Sequence, residues 1–326
     1  MSAKKVTPGF CIQQSFPLFE QLVEASKGWE LGFRQLSAAS SPFRLEQLST
    51  SRMLYSRVHL GSHFHQLGGP ELGFRTFALR SEVCTDFRWC GETVNRNSLI
   101  VLPSDGEFES VSLPGFDIFT VSLSCTLLER TAEIQFQRPL GDFMGDAGQV
   151  FHLSEDKMHE LRRLLHRLSS DVAQSSALGA PLENLSRTRR IELELVYLVL
   201  ACLDQGEAQT PRVHLSKRMR ALGRALELIG KRPQRGFCIA DLVEQVGVSR
   251  RTLEYAFLDG VGVSPAAYLK ATRLKALHQD LLLTDSTQAS VASLCLLHGF
   301  RHLGQVAADY RLMFGECPSA TLRRRG

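Results

Sequence analysis

The chain has 326 residues, 44% hydrophobic and 22% charged, a composition typical of a folded globular protein and not of a disordered one. Its length allows two domains, each large enough to bury a core. The formal net charge of +4 is unevenly distributed, because residues 212–326 hold 18 Lys and Arg against 9 Asp and Glu, whereas residues 1–211 hold 20 against 25. A basic last third on an acidic body predicts a polyanionic partner for that third.

Neither a signal peptide nor a membrane span is predicted. The N-terminus, MSAKKVTPGFCIQQSF, has two lysines but no long apolar run after them. The longest apolar stretch, residues 195–203 (LVYLVLACL), is far shorter than the roughly 20 residues that a span requires. The eight cysteines show no CxxC pair and no zinc-type spacing, which indicates reduced thiols. We therefore expect a cytoplasmic protein with no membrane partner.

Residues 1–152 are predicted to form a β-rich domain with one helix near its start. Short runs rich in Val, Ile, Leu and Phe alternate with the turn clusters GGPELG, PSDGE and LPG, a spacing typical of a barrel or sandwich. The clearest runs are Met53–Leu60, Phe74–Leu79, Ser98–Leu102 and Phe116–Leu123. The helix is predicted over Gln13–Lys27, with Phe16, Phe19, Leu22 and Val23 along one side.

Two helices are predicted over residues 153–204. The first follows Ser154 and has two acids in its first turn, where the helix dipole favours them. The second, about Leu182–Asp204, carries more apolar positions than one packing face requires. The surplus side consists of Leu193, Val196, Val199 and Leu200. This surplus predicts packing against the β domain or against a second subunit, which makes the segment a candidate for dimerisation. Residues 205–214, beginning QGEAQTPR, are predicted to be a linker.

The segment CIADLVEQVGVSRRTLEYAF, residues 238–257, predicts two helices joined by a tight turn. Ile239, Leu242, Val243 and Val246 fall on one helical face, after which Gly247 ends the helix. Ser249 is a good N-cap for the second helix, whose inner face is Leu253, Ala256 and Phe257. Helices joined by so short a turn cross steeply, as in a helix-turn-helix, although ordinary helical bundles also contain such corners.

A second copy of this pattern lies 52 residues further on, in SVASLCLLHGFRHLGQVAADYRLMF. Val291, Leu294, Cys295 and His298 repeat the apolar spacing, and Gly299 provides the break. The inner face of the next helix is Val306, Tyr310 and Phe314. Between the copies, SPAAYLKATRLKALHQDLL predicts a long helix entered at Ser264-Pro265, with Pro at the first helical position.

Two helix-turn-helix copies on one linking helix resemble the DNA-binding domain of the AraC/XylS family of bacterial transcription regulators. The matching segments are DLVEQVGVSRRTLEYAF, GVSPAAYLKATRLKAL, SVASLCLLHGF and FGECPSATLR, and the match covers residues 215–324. The last segments also show a weaker similarity to the ethanolamine-operon regulator branch. The chain departs from the family pattern at Val243 and Cys295, usually Ala, and at Gly304, Val306 and Tyr310, usually Ser, Phe and Phe.

The resemblance implies an α+β protein, with a cupin-like β-barrel or sandwich and its following helices before an all-α domain over residues 215–326. Two readers on a rigid helix enter successive major grooves about 34 Å apart, and residues early in each second helix read bases. The expected readers are Ser249, Arg250, Arg251, Glu254 and Tyr255 in the first copy and Arg301, His302, Leu303, Gln305 and Ala308 in the second. For Arg250 and Arg251, phosphate contact and simple solvation are the alternatives to base reading. Lys270, Arg273 and Lys275 are expected to contact phosphates, and the alternative is that they are solvated without contacting DNA. His302 has helix capping as an alternative role.

The segment HLGSHFHQLGGPELGF suggests a ligand site in the β domain. His59, His63 and His65 stand at odd positions, so on one strand they share a face. With Glu71 they resemble the first metal motif of cupin barrels, but a metal needs three or four converging ligands, so neither a metal nor another cofactor is predicted. The candidate ligand-binding residues are His63, His65, Arg75 and Trp89, with Trp29 as a further pocket residue. Ordinary packed or surface histidines are the competing interpretation.

Three functions compete at this point. The first is a regulator, often an activator in this family, that binds double-stranded promoter DNA, contacts RNA polymerase, forms a homodimer and senses a small molecule or a protein. It would act in the cytoplasm on the nucleoid. The second is a DNA-tethered enzyme, such as a cupin-type oxygenase or a repair methyltransferase, against which stand the incomplete histidine set and the lack of a phosphate-binding loop or a GxSxG motif. The third is a regulator without a small ligand.

Overall fold

In the computed structural model the chain divides into two compact units. The first comprises residues 1–32, 41–61 and 66–212, and the second comprises 33–40, 62–65 and 213–326. The structure describes residues 9–28, 30–69, 73–90, 92–104, 108–178, 185–209, 217–231, 238–285 and 289–323. The predictions for Trp29, for Glu71 and for residues 210–214 of the linker lie outside these residues, as does the start of the C-terminal domain at residue 215.

Two β-sheets form the β-rich part of the chain. One sheet has the strand order β1 (Cys11–Phe16), β3 (Phe43–Ser49), β4 (Met53–Leu60), β11 (Phe116–Ser124), β6 (Phe74–Arg80), β9 (Ser98–Val101), β12 (Gln149–His152) and β13 (Glu207–Gln209). The other has the order β2 (Glu30–Gln35), β5 (Phe64–Gly69), β10 (Phe108–Ser112), β7 (Phe87–Trp89) and β8 (Glu92–Val94). The four strands predicted most clearly are confirmed as β4, β6, β9 and β11. The mixed architecture agrees with the α+β fold class.

Side chains alternate between the two faces of the larger sheet along each strand. Tyr55 and Phe119 belong to an apolar core that also includes residues of α2 (Cys125–Thr131), α3 (Glu155–Leu178) and α4 (Leu185–Gln205). The opposite face includes small buried polar groups among its apolar residues. Thr76 Oγ1 lies 2.8 Å from Ser122 Oγ, and the two residues are register partners on β6 and β11.

The predicted helix over Gln13–Lys27 is wrong in its first half. Residues 11–16 form β1, and only Phe19–Ala25 are helical, as α1. Pro17 explains the difference, since a residue before proline is pushed towards an extended conformation and proline lacks the N–H that a helix interior uses. Phe16, Phe19 and Leu22 are buried as expected, but Val23 is 40% exposed.

The three histidines do not share a strand face, so that prediction is also wrong. His59 lies on β4, which ends at Leu60, whereas His65 lies on the next strand, β5, and His63 lies in the connection between them. The chain turns at Gly61, where a Cβ atom would stand only 2.0 Å from the backbone oxygen of Ser41. Period-two reasoning fails across such a turn, because it applies only within one extended strand.

The two helices after the sheets are close to their predicted positions, and most of the surplus apolar surface of α4 is used within the first unit. Val196, Val199 and Leu200 are buried there, whereas Leu193 is 48% exposed. The predicted linker begins with β13, whose residues pair with β12, so its first part extends the sheet. None of the described helices is long and apolar enough to cross a membrane.

The second unit contains seven helices among the described residues. They are α5 (Lys217–Lys231), α6 (Ile239–Val246), α7 (Arg250–Val261), α8 (Pro265–Leu283), α9 (Val291–Leu297), α10 (Leu303–Phe314) and α11 (Pro318–Leu322). The long α8 separates the α6–α7 pair from the α9–α10 pair, as the sequence predicts. It is nearly uniform in polarity around its circumference, with buried residues on several sides, because helices pack against it from both directions.

Candidate nucleic-acid interface

The first helix pair has the geometry of a helix-turn-helix. Gly247 ends α6 with φ at 73°, in the left-handed region that favours glycine. Ser249 then caps α7, its Oγ accepting a hydrogen bond from the backbone N–H of Thr252 at 3.1 Å. Leu253, Ala256 and Phe257 are fully buried, so the opposite side of α7 is available to a partner. The predicted break, cap and inner face are all confirmed.

The expected readers of α7 lie on its outer side and interact with one another. Arg250 and Arg251 are exposed, and the Arg250 Nε atom is 3.9 Å from Glu254 Oε1. Arg251 donates to the hydroxyl of Tyr255 at 3.3 Å. The Tyr255 ring also contacts Arg218 of α5, whose guanidinium carbon is 4.8 Å from the ring centroid, against 5.5 Å for Arg251. These contacts restrain the long side chains before any partner binds.

The second helix pair repeats the arrangement with different stabilising contacts. Ser290 caps α9 by accepting from the backbone N–H of Ser293 at 3.1 Å. His298 follows α9 and is 1% exposed, with its Nε2 atom 2.8 Å from Asp280 Oδ2 of α8. Gly299 then turns the chain with φ at 77°. His302 stands at the N-cap of α10, but its side chain makes no capping hydrogen bond, so the alternative role as a cap is not observed.

A series of side-chain hydrogen bonds holds the buried side of α10. The sequence does not predict it. Tyr310, where the family pattern usually has Phe, is fully buried, and its hydroxyl lies 2.5 Å from His278 Nδ1. The same hydroxyl donates to Thr321 Oγ1 at 2.8 Å, which in turn donates to Glu316 at 2.6 Å. A buried hydroxyl without partners is costly, and here α8 and the residues around α11 supply them.

A cleft of about 480 Å³ brings the second reader and the linking helix together. Of the expected residues, Arg301, His302 and Gln305 line it with Lys270 and Arg273 of α8. Its full lining is Cys238, Ile239, Ala266, Leu269, Lys270, Arg273, Gly299, Phe300, Arg301, His302, Gln305, Val306 and Asp309. Three guanidinium or ammonium groups face one carboxylate, so the cleft carries net positive charge. Such a surface suits a phosphate backbone.

Of the remaining expected residues, some are exposed and others already interact with neighbouring groups. Leu303 and Ala308 are exposed on α10. Lys275 is half-buried and donates to the backbone carbonyl of Phe33, which is part of the second unit, so its ammonium group is not presented in the cleft. Lys270 pairs with Asp309 at 3.1 Å. Asp309 is not among the residues expected from the sequence, because no local pattern distinguishes it from a solvated surface acid.

The candidate ligand residues of the N-terminal region are divided between the two units. His63 and His65 belong to the second unit, where His65 Nδ1 is 2.8 Å from the hydroxyl of Tyr268, and burial lowers the pKa of His63. Arg75 and Trp89 belong to the first unit, where the Arg75 guanidinium donates to the carbonyl of Gly145 at 2.6 Å. Trp89 is 2% exposed, and its indole N–H has no partner among the described residues.

Comparison with known proteins locates similarity in the C-terminal region. Residues 242–324 match a family model described as a helix-turn-helix domain. The probable thc operon regulatory protein of Rhodococcus erythropolis is 32% identical over 99 residues, 30% of each chain. The XylDLEGF operon transcriptional activator 1 of Pseudomonas putida is 33% identical over 123 residues, 38% of this chain and 37% of that protein. The chain thus matches about a third of the length of these curated relatives.

A solved structure is also similar to part of the chain. The crystal structure of a probable AraC family transcriptional regulator from Rhodopseudomonas palustris CGA009 is 38% identical to this chain. The matched part covers 32% of this chain and 95% of that one, with a TM-score of 0.30.

Proposed function

Because the C-terminal region belongs to the AraC/XylS family of helix-turn-helix domains, we propose that the whole protein is a sequence-specific regulator of transcription. It binds double-stranded promoter DNA with α7 and α10 in successive major grooves. Arginines of α7 suit guanine, and Gln305 of α10 suits adenine. The observation that carries the proposal is the pair of helix-turn-helix arrangements on one linking helix, with exposed Arg250 and Arg251 at the start of α7 and exposed Arg301 just before α10.

Phosphate contacts come from the cleft beside α10. Lys270 and Arg273 reach this cleft from α8 together with Arg301 of the reader. Neutralising phosphates releases counterions, so affinity should fall steeply with added salt. Lys275 is the weakest of the three phosphate candidates, since its ammonium group already donates to the Phe33 carbonyl.

The first unit supplies regulation and dimerisation in this proposal. Leu193 and Tyr197 of α4 are 48% and 52% exposed and lie one turn apart, which supports a contact with a second copy of the chain. The buried indole of Trp89, whose N–H has no partner among the described residues, supports an effector pocket in the β-rich part. Binding at the promoter would bring the protein to RNA polymerase as an activator acting on the nucleoid in the cytoplasm.

Genome-wide footprinting, repeated in vitro with Arg250→Ala/Arg251→Ala, tests DNA reading. We expect discrete promoter sites that disappear in this variant. The matched control is Arg163→Ala/Arg167→Ala, which removes two exposed arginines from α3 of the first unit and should leave the sites intact. Scattered, salt-sensitive binding that survives the first pair of substitutions would mean that the basic region only tethers the protein, and the proposal would be abandoned.

Light scattering tests the dimer separately. The protein at micromolar concentration should have twice the chain mass, and Leu193→Glu/Tyr197→Glu should halve it. Val83→Glu is the control, because Val83 is 72% exposed and lies away from α4 in the sequence. A monomeric wild-type protein would remove dimerisation through α4 and leave DNA reading untouched.

A further inference from the structure

Asp309 connects a reader residue of α10 with the linking helix. Its Oδ1 atom accepts a hydrogen bond from Gln305 Nε2 at 3.3 Å and another from Lys270 Nζ at 3.1 Å. The Asp309 side chain is 17% exposed, whereas Lys270 is half exposed and Gln305 is exposed. All three line the positively charged cleft. A partly buried carboxylate therefore contacts an exposed side chain that is expected to face a base.

The contact determines which end of the Gln305 amide faces outward. A carboxylate is only an acceptor, so the amide must direct its nitrogen towards Asp309. The amide is planar, and its oxygen then lies on the side away from the carboxylate. The pair is spaced i, i+4 on α10, where Gln and Asp side chains naturally meet. Gln305 thus presents an acceptor oxygen, together with the one amide hydrogen that Asp309 does not use.

We propose that Asp309 is a positioning residue that makes Gln305 select adenine and reject guanine, an inference that rests on the proposed DNA-binding function. In the major groove adenine offers the N6 amino donor beside the N7 acceptor, which matches the held amide at both atoms. Guanine offers two acceptors, O6 and N7, so its O6 would face the amide oxygen. A Gln305 amide free to rotate could turn its nitrogen to guanine, and Asp309 prevents that rotation.

Lys270 offsets the negative charge of Asp309. An isolated carboxylate close to DNA would repel phosphates, and the ammonium group at 3.1 Å offsets its charge. The same pairing occupies a cation that would otherwise contact the backbone. Removal of Asp309 therefore releases Lys270 for phosphate and releases Gln305 for rotation. Binding becomes tighter and less selective, whereas a substitution that merely damaged α10 would weaken binding to every sequence.

Selection from randomised DNA with the full-length protein provides the test. The base read by Gln305 is the motif position whose preference Gln305→Ala abolishes. Dissociation constants are then measured for four duplexes that differ only at that position. For the wild-type protein we expect adenine to be preferred to guanine, and Asp309→Ala should reduce this ratio roughly five- to tenfold while affinity for the guanine duplex rises. In a Gln305→Ala background, Asp309→Ala should leave the ratio unchanged.

The possible results distinguish failure of the Asp309 positioning role from failure of the proposed DNA-binding function. If the wild-type protein selects no motif, the proposed function fails and the inference fails with it. If a motif appears and Asp309→Ala retains the wild-type ratio, or alters it equally without Gln305, the positioning role is wrong and DNA reading stands. Thermal melting of each variant identifies loss of folding, and Asp309→Asn provides a second variant, since it keeps an acceptor oxygen and should retain more adenine preference than alanine.

Discussion

Three glycines of the second unit should respond in opposite directions to the same substitution. An added Cβ atom meets no other atom within 4 Å at Gly247, Gly223 or Gly304. Only Gly247 has a left-handed backbone, with φ at 73°, whereas Gly223 lies inside α5 and Gly304 inside α10. Since steric contact is equal at the three sites, alanine tests backbone conformation alone. The Gly247 substitution also tests whether the backbone at the turn between α6 and α7 is left-handed.

Alanine at Gly247 should lower the free energy of unfolding by about 1–2 kcal/mol, the cost of a left-handed conformation for a residue with a Cβ atom. For a domain of about 100 residues this corresponds to a fall of roughly 5–15 °C in the melting temperature. Gly223→Ala and Gly304→Ala should raise the free energy of unfolding by about 0.5–1 kcal/mol, because glycine is a poor helix former.

Calorimetry of the full-length protein, following the transition of the second unit, measures all three variants. Gly247→Asn serves as a further control, since asparagine enters the left-handed region more readily than alanine and should cost less. The reasoning would be refuted by a Gly247→Ala protein that melts at or above the wild-type temperature. A destabilised Gly223→Ala protein would equally contradict it, because α5 would then not be an ordinary helix at that position.

Three predictions concern the first unit. Gly61→Ala should destabilise it by about 1–3 kcal/mol, the range for overpacking, whereas Gly141→Ala, which meets no atom within 4 Å, should not, and denaturant unfolding distinguishes them. Glu192→Gln should cost about 1.5–3 kcal/mol in the same assay, because the buried carboxylate accepts from Arg52 at 2.5 Å; an unchanged midpoint would show the ion pair to be dispensable. Burial lowers the pKa of His59, so its neutral form is favoured on folding and stability should fall as the pH drops below about 6.5. His59→Gln should flatten that dependence, and an identical pH profile in both proteins would contradict the assignment.

The sequence by itself determined the features that depend on near neighbours. The apolar spacing of α6 and α9, the glycine breaks that follow them and the serine cap of α7 are set within about one helical turn, so they could be read directly. The same holds for the four clearest strands, each bounded by turn residues. The predicted helix over Gln13–Lys27 is wrong in its first half, because Pro17 overrides the apolar periodicity before it.

Only the tertiary structure decided which distant side chains meet. Asp309 contacts Lys270 across 39 positions of the chain, and Tyr310 contacts His278 across 32. No local pattern encodes such pairs, because they depend on how α8 and α10 pack. The same reason explains the histidines: whether they share a face depends on a turn at Gly61 imposed by the close approach of Ser41. Local periodicity thus predicted where the two helix pairs lie, and packing determined how their side chains are held.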